Sequence, residues 1–410
     1  MNSTIRRVAI IDGMRTPFVR SFTSFANYSC SELMVYALKA LVEKKSLQGV
    51  DLGEVALGCV MKPTSDWNLA REAVMKSGLG KKTPGLDLIR ACATGLEASI
   101  AIANKIALGQ IDVGISGGVD SNSDIPLVFS KSFSTKLFEL KKAKTTLDKI
   151  KILSSFKIDD LKPQLPMVVE PQTQLSMGQH CGLMAKEWKI SREEQDQLAF
   201  ESHQKAAKAW ESGFFKEFVA PVGKILQDNN VRKDTSLEKL SKLKCAFDGD
   251  LTAGNSTPLT DGASCALLAS EEYAKSKNWK ILGYLEDVQV AAVDYTKGAG
   301  LLMAPVDAID QLLSRNKLSY ADFDFFEIHE AFAAQVLCTL KALEPKYGKM
   351  DRSKMNILGG SVALGHPFAA TGARILVQAA KILDLNQKNK CMISICTGGG
   401  MGVVAIVSRI

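Results

Sequence analysis

Short apolar runs alternate with helical patterns twice along this chain, and that double alternation constrains its fold more than any other feature. In residues 1 to about 120, "VAIIDG", "VALGCV" and "VGISGG" read as strands and "SELMVYALKALVEK" as an amphipathic helix. Over the last part of the chain, "ILGYLEDVQV", "FDFFEIH", "CMISICTGGG" and "VVAIVSR" read as strands. "PVDAIDQLLSRN" and "GARILVQAAKIL" read as the helices between them. Such alternation builds α/β layers. Two α/β stretches of similar size point to an internal duplication, although their sequences match only faintly. With 410 residues the chain is long enough for two or three core-bearing units.

The middle, from Asp120 to about Asp250, is richer in helix and charge. Its clearest helix is "SREEQDQLAFESHQKAAKAWESG", with Ser191 as N-cap, Glu194 completing a capping box and Gly213 ending it. A segment from about Lys131 to Pro166 carries Leu137, Leu140, Leu147, Ile150 and Leu153 at helical spacing. Lys141, Lys142, Lys144, Lys149 and Lys151 lie among them, and "KPQLP" closes the helix. Two readings stand: a solvated surface helix with an apolar underside, or a docking or membrane-surface element.

Bulk properties exclude several classes. No run of about eighteen apolar residues is present, so no transmembrane helix is expected. "MNSTIRR" leads almost directly into a strand, leaving no room for a secretory or transit leader, and "SRI" is not a peroxisomal address. The nine cysteines include no C-x-x-C pair, which argues against a disulfide framework or zinc site and for a reducing, cytoplasmic setting. A net charge of +7 without a nucleic-acid motif suits a phosphate-bearing small substrate.

Four stretches carry chemistry. In "LIRACATGLEA", "GLDLIRA" reads as a buried strand and the residues after Cys92 as a helix. Cys92 then lies at a helix N-terminus, where free N–H groups and the dipole favour a thiolate, and small Ala91, Ala93 and Gly95 leave room around the sulfur. "GGSVALGHPFAATGAR" holds His366 at the mouth of a turn. "ICTGGGMG" sets Cys396 before glycines whose N–H groups can converge on an oxyanion. It lacks the G-x-G-x-x-G spacing and is followed by a strand, which disfavours a dinucleotide site. "EIHEAFAAQ" places His329 and Glu330 at a strand end, a common ligand position. Together these supply a nucleophilic thiol, a second thiol, two imidazoles and an N–H-rich loop, which suits acyl transfer through a covalent thioester. His203, inside a helix, reads as structural, and His180 as structural or pocket-lining.

These motifs resemble the thiolase family over essentially the whole chain. "RACATGLEA" is similar to the stretch around the acyl-accepting cysteine, "GGSVALGHPFAATGAR" to the histidine motif and "CTGGGMG" to the surroundings of the second catalytic cysteine. "GGVDSNSDIP" and "TAGNSTPLTDGAS" are similar to the stretches on either side of the loop domain. The resemblance implies an α/β fold of two duplicated halves in a layered αβαβα arrangement plus a helical loop domain. Residues 1–120, completed by about 251–273, would form the first half, 121–250 the loop domain with its basic insert at about 131–166, and 274–410 the second half.

The resemblance further implies thiolysis of a 3-ketoacyl-CoA by CoA in fatty-acid beta-oxidation. Cys92 would be the nucleophile, His366 its base and Cys396 the second acid–base group. The backbone N–H groups of Cys92 and Gly398 would form one oxyanion site, and His366 with a water held by His329 the other. Met177, Ser256, Thr257 and Phe368 would contact CoA or substrate, with Lys and Arg from the loop domain at its phosphates. No metal or cofactor beyond CoA as substrate is implied, and a homodimer is. Three departures stand out. "HEAF" replaces the commoner Asn-Glu-Ala-Phe, "ACATG" stands where "CGSG" or "CASG" is usual, and the insert is not general. The first and last resemble the beta subunit of the trifunctional fatty-acid oxidation complex. That suggests a hydratase–dehydrogenase alpha subunit, a membrane surface, or both, as partners of the insert. Alternatives are a biosynthetic acetoacetyl-CoA thiolase, a ketoacyl-synthase-type condensing enzyme and a non-catalytic lipid-binding relative.

Overall fold

The computed structural model describes residues 5–164, 169–298 and 300–409. The first four residues, and Leu165 and Pro166 at the close of the expected insert, lie outside them. Ten strands form one sheet system: β1 (Val8–Arg15), β2 (Val19–Arg20), β3 (Glu54–Leu57), β4 (Gly85–Asp87), β5 (Val113–Asp120), β6 (Thr260–Ser270), β7 (Gly283–Ala292), β8 (Phe325–Ile328), β9 (Lys390–Thr397) and β10 (Met401–Ser408). Their order is β4-β3-β5-β6-β1-β7-β10-β9-β8, with β2 on β6. β1 and β7 join the halves through only Ala9 opposite Tyr284 and Ile10 opposite Gly283. Outward from that join each half repeats one pattern. β1–β6 and β6–β5 are antiparallel and β5–β3 parallel; β7–β10 and β10–β9 are antiparallel and β9–β8 parallel. The duplication is thus visible in topology where the sequence shows it faintly.

Strand alternation builds the layers. Val8 and Ile10, Ala266 and Leu268, Ile393 and Ile395, and Val403 and Ala405 face one shared core with helices Thr94–Ala107 and Ala370–Asn386. Their neighbours Ala9, Ile11, Leu267 and Ala269 turn outward onto helices Cys30–Lys44 and Leu69–Ser77. Met392, Val404 and Ile406 turn outward onto helices Ala304–Asn316 and Ala333–Tyr347. Helix, sheet, helix, sheet and helix follow in order. Both faces of each sheet are covered, which is why the strands read as nearly continuous apolar runs. The two middle helices touch along a glycine contact: a Cβ on Gly372 would lie 2.2 Å from the Leu96 nitrogen. Gly95 faces the same helix, with Ala369 and Ala373 against it, so its smallness serves helix packing rather than access to the sulfur.

Three elements differ from expectation. "GLDLIRA" is not a long buried strand: β4 covers only Gly85–Asp87, and Ile89 is exposed. β4 is an edge strand paired with β3 alone, so the chain is free to leave the sheet toward Cys92. The insert is two helices, Lys131–Lys142 and Thr146–Ser154, rather than one. Thr145 caps the second by accepting from the Asp148 N–H, which breaks the apolar stripe. Neither helix has a buried residue. Among its described residues the segment 121–250 has no sheet of its own, and its helices share cores with both halves: Leu198 and Met184 with the second, Ala206 and Phe215 with the first.

Candidate active site

Cys92 sits in a single 3₁₀ turn, Ala91–Ala93, ahead of helix Thr94–Ala107. The turn holds Ala91 at φ +41°, a conformation that costs an L-residue roughly 1–3 kcal/mol. Thr94 stabilises it, its hydroxyl donating to the Ala91 carbonyl (2.7 Å) and accepting from the Arg90 N–H (2.8 Å). His366 follows the short helix Ser361–Leu364. Its backbone N–H donates to Thr260 Oγ1 at 2.7 Å, and its Nδ1 lies 2.6 Å from Thr371 Oγ1. The buried Asp120 carboxylate fastens this loop to the first half, accepting from the N–H groups of Ala369 (2.7 Å), Met61 (2.7 Å) and Val60 (3.2 Å).

Cys396 lies near the end of β9, buried, and the chain then turns through Gly399 and Gly400 at φ +77° and +69° before β10. The Gly399 N–H donates to Glu170 Oε1 at 2.7 Å, and Tyr295 Oη donates to the other oxygen at 3.0 Å. His329 stands just beyond β8, its N–H donating to the Ser394 carbonyl (2.8 Å). Its ring lies 4.1 Å from that of His366, centroid to centroid.

Donor atoms of Cys92, His329 and His366 all lie within 4.8 Å of one another. Nε2 of both imidazoles is buried without a partner. Among the described residues this is the one His/Cys/Asp/Glu group with such convergence, and its Cys-His-His donors are of a type that can take a soft divalent ion.

Burial pushes the Cys92 thiol up to about 12, against opposing pulls from the backbones of Gly398 and Cys92 itself. Burial, aided by Arg374, pushes the His366 imidazolium down to about 3. Cys396 is raised well above its ordinary value by burial and by the neighbouring Cys92, and His329 is held well below by burial, His366 and Arg374. The resting site is therefore neutral. Desolvation thus opposes the thiolate that the helix N-terminus favours.

The other expected contacts divide. Phe368 meets the His366 ring edge-on at 5.2 Å. The sulfur of Met177 lies beside Gly398, 3.7 Å from where a Cβ there would stand. Ser256 and Thr257 instead line a separate cavity of about 600 Å³, with Arg20, Arg232 and Lys239 as its cations and Leu240, Leu243 and Pro258 as apolar wall. Val362, beside the His366 loop, also lines it, and Thr257 Oγ1 donates to the Ser361 carbonyl at 2.7 Å. His203 lines this cavity, its Nδ1 accepting from the Arg232 N–H at 3.2 Å. His180 meets Tyr295 edge-on, and its Nε2 lies 2.7 Å from Thr173 Oγ1. Sequence reasoning assigned nothing to Glu170, Asp120, Thr260 or Arg20, and it expected loop-domain Lys and Arg without naming Arg232 or Lys239. It quoted the motif that contains Ser361, Thr371 and Arg374 without giving them work.

Family models describe this arrangement. The thiolase N-terminal domain matches residues 8–272 and the thiolase C-terminal domain residues 279–409. The chain belongs to the thiolase family. Among its relatives, a 3-ketoacyl-CoA thiolase of Vibrio cholerae serotype O1 is 39% identical over 422 aligned residues, covering 98% of this chain and 97% of the relative. One of Serratia proteamaculans is also 39% identical, over 98% and 96%. The fold is similar to that of a Bacillus anthracis acetyl-CoA acetyltransferase, with a TM-score of 0.87 at 30% identity over 99% and 100% of the chains. It is also similar to human mitochondrial 3-ketoacyl-CoA thiolase in complex with CoA, with 0.84 at 28% over 99% of each. The layered α/β thiolase fold and its acyltransferase chemistry stand on these matches. The loop segment falls inside the N-terminal match.

Proposed function

We propose that this thiolase is a 3-ketoacyl-CoA thiolase that works through a Cys92 acyl-enzyme. The observation that carries the reading is the convergence of Cys92, His366 and His329 within 4.8 Å, with Cys92 near enough to Cys396 to help raise the second thiol. His366 Nε2 takes the Cys92 proton, and the thiolate adds to the C3 carbonyl, whose oxygen meets the N–H groups of Cys92 and Gly398. The C2–C3 bond breaks, leaving Cys92 as a thioester and the electron pair on the acetyl-CoA enolate. Cys396 protonates C2. It then takes the proton of incoming CoA, whose sulfur attacks the thioester, and Cys92 leaves and recovers its proton from His366. His366 and His329 hold the enolate oxygen. The free Nε2 of His329 is available to hold the bridging water expected from sequence or to reach that oxygen itself.

The cavity lined by Ser256 and Thr257 suits CoA, with Arg20, Arg232 and Lys239 for its phosphates and an apolar wall for the remainder. The relatives' names support the degradative reaction, and the likeness to an acetyl-CoA acetyltransferase supports short acyl chains or the reverse direction as a second reading. Activity across C4 to C16 ketoacyl-CoAs separates these. Nine unpaired cysteines support a cytoplasmic place in fatty-acid beta-oxidation, and a homodimer follows the family resemblance. The insert is proposed to meet a hydratase–dehydrogenase alpha subunit or an anionic membrane.

The test is kinetic. Cys92→Ser folds but loses thiolysis; retention of more than about one-hundredth of the wild-type rate removes Cys92 from the nucleophile role. Cys396→Ala stops exchange of acetyl-CoA methyl protons with solvent deuterium, and undiminished exchange removes Cys396 from the proton-transfer role.

A further inference from the structure

His329 can bear its proton on either ring nitrogen, and only one choice offers the site a hydrogen-bond donor. Its Nδ1 lies 2.9 Å from Ser361 Oγ. Arg374 Nη2 donates to that same oxygen at 3.0 Å, and a guanidinium cannot accept. The remaining hydrogen on the Ser361 hydroxyl therefore has one acceptor among its partners, the bare Nδ1 of His329. The reverse choice would leave a buried O–H without an acceptor, since Ser361 is fully buried. Arg374 is itself held in place: Nη1 donates to Gln378 Oε1 at 3.3 Å, and Gln378 Nε2 donates to both Glu327 oxygens at 3.2 and 3.1 Å.

His366 is set the opposite way. Thr371 Oγ1 donates to the Pro367 carbonyl at 3.4 Å and so accepts from His366 Nδ1–H, leaving Nε2 bare. Two rings 4.1 Å apart thus aim a lone pair and an N–H into one space.

We infer that Ser361 is a positioning residue that fixes His329 as the Nε2–H tautomer, with Arg374 directing the Ser361 hydroxyl. Its consequence for turnover rests on the thiolase reading; the tautomer itself does not.

Four histidines make the test tractable. In protein labelled with ¹⁵N-histidine, the His329 signals are those lost in His329→Asn. The wild-type ring should show a protonated Nε2 and a bare Nδ1; a protonated Nδ1 overturns the inference. Ser361→Ala should mix the tautomers and lower kcat by about tenfold or more, with KM nearly unchanged and Ser361→Thr restoring most of the loss. In the His329→Asn background the same substitution should cost little more. An equal cost there makes Ser361 merely structural and overturns the inference. Should Ser361→Ala fail to fold, the wild-type spectrum still decides the tautomer, and Ser361→Cys, a weaker donor of similar size, supplies the kinetic comparison. Wild-type protein without thiolysis but with the expected tautomer would defeat the functional reading and leave this one standing.

Discussion

In the proposed reaction a proton moves from Cys92 to His366 only when the charges it leaves behind are sheltered, because burial holds the thiol near 12 and the imidazolium near 3. The substrate oxygen and the amides around it must supply that shelter, so chemistry waits for substrate. The sign of the pH dependence follows. His366 stays neutral above about 3 and Cys92 stays protonated below about 12, so neither titrates in the working range. kcat/KM for the ketoacyl thioester should therefore change by less than about threefold between pH 5.5 and 7.5. A limb near 6 that vanishes in Asp120→Asn would report the buried Asp120, which burial raises to about 6; one that persists would show one of the pair titrating there. At this scale the motifs made Cys92, His366, Cys396 and His329 legible, since each lies in a short stretch unlike ordinary core. Glu170, Asp120 and Ser361 were not. Glu170 meets Gly399, and Asp120 meets Ala369, across more than two hundred residues of chain. No local pattern encodes such a partner.

The two middle helices carry the site at their N-terminal ends, so their spacing sets the distance between Cys92 and His366. Gly372 permits that spacing. Gly372→Ala drives a methyl into the Leu96 backbone and should lower unfolding free energy by about 1–3 kcal/mol. It should also depress kcat more than KM, as the nucleophile and base part. An unchanged denaturation midpoint with unchanged kcat would show that the helices part without consequence. Most elements were legible because covered sheets leave unbroken apolar runs and helices leave caps; the Ser191 capping box with Glu194 is present as read. The insert misled because its leucines keep helical spacing on both sides of a break, and only the Thr145 cap marks it.

For the molecule as a whole, duplication and layering were visible in the order of strands and helices. The sharing of both cores by the loop segment was not, since burial of Leu198 and Phe215 depends on which half each meets. Large apolar side chains gather on the outside of the insert: Phe138 is 65% exposed, Leu147 63%, Ile150 56% and Leu153 55%. Lysines interleave with them, each contributing about 1 kcal/mol near an anionic surface at low salt. Replacing Leu147, Ile150 and Leu153 by Ser should weaken salt-sensitive association with anionic vesicles or with the alpha subunit, and leave turnover of a short soluble substrate intact. Co-purification and flotation equal to wild type would reduce the segment to a surface helix pair.

The proposed site draws its nucleophile from one repeat and its base, second thiol and glycine turn from the other, across a join of two residue pairs. During synthesis Cys92 leaves the ribosome long before His366 and Cys396. Until the second repeat folds against the first, that cysteine has no base beside it and no Gly398 amide to receive an oxyanion. Under the proposed reaction, a chain ending before the second repeat would carry the cysteine without the groups that make it an acyl acceptor.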